Sequence, residues 1–253
     1  NTGGLVQLTN NSNEILLLQA TNSGRNISVT SSEPMQISGT GIDGASVILQ
    51  SVGLSQTAAI KATSLVITNT ANNVVLNDAN EISSFQISNA PRSVELTNTI
   101  SSSISAGGIQ AASIKLSTAG LTQAGVLSAT SLDVTNSAGT VVLDQSNTLT
   151  DVEIDNTGRN VSLTNSQATN ISAGGIQGST VVLNTAGLTQ AGAITATSLD
   201  VTNSAGTVVL DQSNTLMNVE IDNTGRNVSL TNTTATNIST GGIQGDSVVL
   251  STA

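Results

Sequence analysis

Asp133-Val-Thr-Asn-Ser-Ala-Gly-Thr-Val-Val-Leu143 returns unchanged as Asp200-Val-Thr-Asn-Ser-Ala-Gly-Thr-Val-Val-Leu210. Working outward, the match extends over Gly120–Ala186 and Gly187–Ala253, which sets a 67-residue repeat. Gly53–Ala119 is a diverged copy and Asn1–Val52 a truncated one. A fixed period of tens of residues marks a stacked repeat architecture, in which one unit cannot bury its apolar face alone.

Each copy divides again. A leucine column runs Leu49, Leu76, Leu96, Leu116, Leu143, Leu163, Leu183, Leu210, Leu230, Leu250, with spacings of 27, 20 and 20 repeated. Leu8 and Val29 extend it backwards. Two residues before each member stands a β-branched residue, as at Val141, Val161, Val181 and Val208. A two-residue step places both side chains on one face of a strand, and β-branched residues suit that pleated surface. A second strand is expected at Leu132-Asp-Val134 and Val152-Glu-Ile154. Asn22, Asn69, Asn89, Asn136, Asn156, Asn203 and Asn223 then mark corners, since Asn tolerates left-handed backbone. Every third rung carries Gly107-Gly108, Gly174-Gly175 or Gly241-Gly242, where a bulge or sharper corner is expected. The long rung of each unit takes its extra residues near Leu121-Thr-Gln-Ala-Gly125.

Ser, Thr, Asn, Val and Gly dominate and no helical stripe is present, so a helix-containing repeat is excluded. The expected fold is all-β: one continuous parallel β-solenoid over residues 1–253, of about 12 rungs. The repeat units are 1–52, 53–119, 120–186 and 187–253, and each full unit divides into three rungs by the 20, 20, 27 leucine spacing. The leucines Leu76, Leu96, Leu116, Leu143, Leu163, Leu183, Leu210, Leu230 and Leu250 form its core ladder. Ladders of Asn, Ser and Thr are expected on the outside, bonding along the stack. Composition agrees with a narrow core: 37% of residues are hydrophobic, Phe85 is the one aromatic, and there is no Cys or His. Val, Ile, Leu and Ala must fill the interior without the area that aromatics bury.

Net charge is −10, with six basic residues against 16 acidic ones. Six scattered cations make no phosphate-tracking patch, so nucleic acid is not an expected partner. No apolar run is long enough to span a bilayer, so membrane insertion is not expected either.

The stretches Gly120-Leu-Thr-Gln-Ala-Gly-Val-Leu-Ser-Ala129 and Gly187-Leu-Thr-Gln-Ala-Gly-Ala-Ile-Thr-Ala196 resemble the repeats of filamentous haemagglutinin-like adhesins, exoproteins of the two-partner secretion class. The resemblance covers the chain in style. It implies a right-handed parallel β-helix, export across a bacterial outer membrane, and a role in adhesion or biofilm matrix. The family's secretion domain with its Asn-Pro motifs is not in these residues. The functional expectation is therefore a repeat region of a secreted or cell-surface bacterial adhesin or filament. It would act as a rigid rod in an extracellular or cell-surface setting, not as an enzyme.

Several features carry possible chemistry. Asp151, Glu153 and Asp155 alternate along one strand; an acid pair of this kind could serve a polysaccharide-acting β-helix enzyme, but their recurrence at repeat positions reads as a solvated wall. Gly241-Gly-Ile-Gln-Gly-Asp246 is faintly similar to a calcium nonapeptide, against which a glycine corner is the simpler reading. Recurrent Thr68, Thr135 and Thr202, and Thr97, Thr164 and Thr231, raise an ice-binding alternative, weakened by the Asp, Ser and Asn between them. Asn26, Asn160, Asn170, Asn227, Asn232 and Asn237 begin glycosylation sequons. Arg25, Arg92, Arg159 and Arg226, one per unit, form either a surface stripe for anionic cell-surface glycans or isolated exposed residues, Arg159 and Arg226 pairing with Asp155 and Asp222. No catalytic, metal or cofactor-binding residues are assigned. Neither end of the segment shows a polar capping repeat, so the expected partners are further copies of the chain, or the rest of a longer chain, stacked end to end.

Overall fold

The computed structural model describes residues 4–253. All regular structure among them is β-strand. Two compact units are present, one running to Ala129 and the other from Thr130 to Ala253. Each is a β-solenoid of stacked coils joined by parallel pairing, and the chain makes about 12 turns.

The turn that begins at Val141 shows how the sequence builds a coil. Val141, Leu143, Leu149, Val152 and Ile154 point inward and are buried; Val142, Thr150 and Glu153 between them face out. Alternation of this kind is the strand period of two wrapped around a closed turn. Five apolar side chains per turn, each contributing about 1.5–3 kcal/mol when fully buried, offset chain ordering only when the next turn covers them.

Parallel registers decide which residues stack. In the second unit Val141 and Leu143 pair with Val161 and Leu163, and these with Val181 and Leu183. Leu183 then pairs with Val201, and Val201 with Ile221. Leu210 lies further along that same turn, in a separate column with Leu230 and Leu250. The first unit repeats the arrangement: Leu49 pairs with Ile67 and Ile67 with Ile87, while Leu76 pairs with Leu96 and Leu96 with Leu116.

The step from Leu183 to Leu210 is therefore not a long rung. Turns hold to nearly one length throughout, as from Val141 to Val161 and from Val201 to Ile221. One repeat makes about three and a third of them, so each repeat comes back one wall further round the coil. The leucine ladder is a set of triplets on successive walls, and Leu183 does not stack with Leu210. Within the triplets Leu76, Leu96, Leu116, Leu143, Leu163, Leu183, Leu210 and Leu230 are buried. Leu250 differs from the expectation: it keeps its register with Leu230 but is 45% exposed, because no described turn lies over it.

The glycine motifs form a bulge and a close backbone contact between turns. Val152 pairs with Ile171 and Ile154 with Ile176, so the Gly174-Gly175 strand carries three extra residues, a bulge. Leu121–Gln123, where the extra residues of the long rung are expected, is instead a regular strand over Ser102–Ile104, as is Leu188–Gln190 over Thr169–Ile171. Gly175 has φ +81°, and a Cβ there would lie 2.1 Å from the Ala193 carbonyl oxygen of the next turn. A Cβ on Gly192 would lie 2.1 Å from the Ser172 carbonyl oxygen. The Ile176 N–H donates to Ala193 at 3.1 Å and Ala191 N–H to Ile171 at 2.7 Å. Gly-Gly-Ile and Ala-Gly are thus two halves of one backbone clasp, where main chain packs on main chain with no room for a side chain.

The corner asparagines correct the expectation of outer ladders. Asn69, Asn89, Asn136, Asn156, Asn203 and Asn223 point inward and are buried. Asn136 Nδ2 donates to Asn156 Oδ1 at 2.7 Å, and Asn203 to Asn223 at 2.7 Å; Asn69 donates to Asn89 at 2.6 Å. Buried amides are costly unless bonded, and stacking identical amides lets the Nδ2 of one meet the Oδ1 of the next, although Asn136 Oδ1, at the start of its pair, is buried without a partner.

Candidate functional site

The arginines were the leading surface candidates, and the registers separate them. In the second unit Arg159 accepts at its carbonyl from Ser179, and Ser179 from Thr197 and Ser198. Ser198 pairs with Asn218. Arg226 instead accepts from Asp246. By the time the chain reaches Arg226, the column that began at Arg159 has arrived at Asn218, on another wall. In the first unit Arg25 lies under Ala45, whereas Arg92 lies over Ala71, to whose carbonyl its Nε donates. Within neither unit do the two arginines make one stripe.

Nor do Arg159 and Arg226 pair with their nearby acids. Asp155 Oδ1 accepts from the N–H of Thr157 at 3.2 Å and from its hydroxyl at 2.8 Å, and Asp222 treats Thr224 alike. Asp is engaged in closing its own turn. Lys61 and Glu81 form an ion pair, 3.3 Å apart with both side chains half or more exposed. Asp43 sits one turn below Lys61 in register. The three charges border an open depression with Thr63, Ser83 and Ile100. An exposed pair of this kind contributes under about 1 kcal/mol.

The carboxylates of Asp151–Asp155 each have a local use. Asp151 accepts from Asn170 at 2.8 Å, and Glu153 from the N–H of Gly174 at 3.2 Å. Glu220 takes the same place over Gly241, accepting its N–H at 3.3 Å. The Gly241-Gly-Ile-Gln-Gly-Asp246 stretch is thereby accounted for as a bulged strand followed by a turn in which Asp246 N–H reaches the Arg226 carbonyl. Among the described residues no group of three or more His, Cys, Asp or Glu side chains is arranged to hold a metal ion. Asp200 has its pKa raised, first by partial burial and then by Glu220, its register neighbour.

The threonines are mixed with other residues along every column that holds them. Thr164 stacks with Asn184, Asn184 with Thr202, and Thr202 with Asp222. Thr68 stacks between Gln50 and Ser88, and Thr97 pairs with Ser117. The one-wall shift is the reason: a residue that recurs once per repeat never stacks on its own copy. Of the sequon asparagines, Asn26, Asn160, Asn227 and Asn237 are exposed and Asn170 is half-buried. Asn232 is buried and donates to the Leu216 carbonyl at 2.8 Å.

Sequence reasoning passed over a second set of inward asparagines: Asn80, Asn98, Asn147, Asn165, Asn214 and Asn232, all buried. Asn165 Oδ1 accepts from Leu149 N–H at 2.9 Å while its Nδ2 donates back to the Leu149 carbonyl at 2.8 Å. Asn214 and Gln190 exchange two bonds of 3.0 Å. The signal was present: an Asn stands two or four residues after two of every three ladder leucines.

No known protein family, curated protein or solved structure matches the chain.

Proposed function

We propose that these residues are the structural repeat region of a secreted or cell-surface adhesin or filament, of the haemagglutinin-like kind that Gly120–Ala129 and Gly187–Ala196 resemble. The stacked coils act as a passive scaffold that carries or spaces adhesive contacts. The observation that supports this reading is where the polar groups go. Inward amides bond to the next turn, and the acids of the Asp151–Asp155 strand bond to neighbouring main chain or side chains. Polar groups used up in stacking serve cohesion between coils, and sites for chemistry are built instead from groups held in reserve with shifted pKa values. Stability then comes from summed neighbour terms, so length can change by whole units without loss of folding.

The test is a cell-anchored fusion that carries a small adhesive domain beyond this region. Deleting residues 120–186 should leave the remaining coils folded and protease-resistant and adhesion intact apart from an effect of reach. Polysaccharide cleavage by the purified chain, or adhesion abolished by an exposed point substitution that leaves stability unchanged, would overturn the scaffold reading.

A further inference from the structure

We draw no further inference here: the strongest candidate, the open depression of the first unit bordered by Asp43, Lys61, Glu81 and the exposed Ile100, carries none, because its Lys61–Glu81 pair is solvent-exposed and nothing in the structure shows what covers it.

Discussion

The unit ending at Ala129 and the unit from Thr130 run the same coil with different surfaces. Inward positions correspond closely: Ile42, Ile60, Leu65, Val74 and Leu76 in the first match Ile176, Ile194, Leu199, Val208 and Leu210 in the second, all buried. The inward amides Gln56, Asn80 and Asn98 match Gln190, Asn214 and Asn232. Where the first unit has Phe85, the second has Val219, and both are buried in the same column position. Outside, little is kept. The column Asp43, Lys61, Glu81 becomes Gln177, Thr195, Thr215. Exposed Leu16 and Leu17 stand where the second unit has Thr150-Asp151 and Met217-Asn218. Charge divides unevenly as well. Six acids against Arg25, Lys61, Arg92 and Lys115 leave the first unit at −2; ten acids against Arg159 and Arg226 leave the second at −8. The lesson is that the coil constrains what points in and what packs main chain on main chain, and leaves the outer wall free to vary.

The comparison breaks if equivalent inward positions respond unequally. Leu163→Asp buries an unpaired charge and should cost several kcal/mol in chemical denaturation, and Leu96→Asp in the first unit should match it. Thr164→Asp, on the outer face, should cost little. Equal sensitivity at Leu163 and Thr164 would refute the register. Next come the clasps. Gly175→Val and Gly108→Val each force a side chain against a carbonyl of the next turn, at Ala193 and Val126. Both should lose several kcal/mol, whereas Gly158→Ala meets only open space and the strain of positive φ, about 1–2 kcal/mol. A mild Gly175→Val would mean the clasp is not tight.

Asn214→Leu and Asn80→Leu leave main-chain groups unbonded, such as Ile194 N–H and Ile60 N–H, which now donate to their Oδ1 atoms. Each should cost about 1–3 kcal/mol, equally in the two units. Exchanging the outer columns, with Lys61→Thr/Glu81→Thr in one unit and Thr195→Lys/Thr215→Glu in the other, should shift stability by under about 1 kcal/mol, and less at high salt. The smallest effect belongs to Asp200. A carboxyl whose pKa is raised in the folded state holds its proton more tightly there than in the unfolded chain. It therefore opposes folding at neutral pH and ceases to do so as pH falls through the raised value. Asp200→Asn should stabilise slightly at pH 7 and make no difference in acid; destabilisation at pH 7 would show that the charge has a partner worth keeping.

Most of the inside of the coil was legible beforehand. Val141 and Leu143, Val161 and Leu163 announce an inward face by their two-residue step, and Gly174-Gly175 announces a bulge. Less legible was anything that depends on direction or neighbour. An Asn after a strand reads as a solvated corner, since a turn Asn commonly is one. Only in the stack does Asn203 find Asn223 at hydrogen-bond distance, which makes the inward rotamer the favoured one. The arginine stripe failed for a similar cause. Equal spacing shows that Arg159 and Arg226 are copies, not that they are neighbours.

The sequence by itself determined the strand period, the apolar inner face, the long repeat and the parallel stacking, because all four follow from side-chain alternation and self-similarity. Which residue lies over which was settled only in the tertiary structure. Stacking depends on how much chain the backbone consumes in one circuit, and bulges and clasps consume residues without advancing the wall. The step from Leu183 to Leu210 is one circuit to Val201 plus passage to the next wall. Three circuits carry Leu143 through Leu163 and Leu183 to Val201, and the 67-residue repeat runs nine residues further, to Leu210, an excess that only the registers reveal.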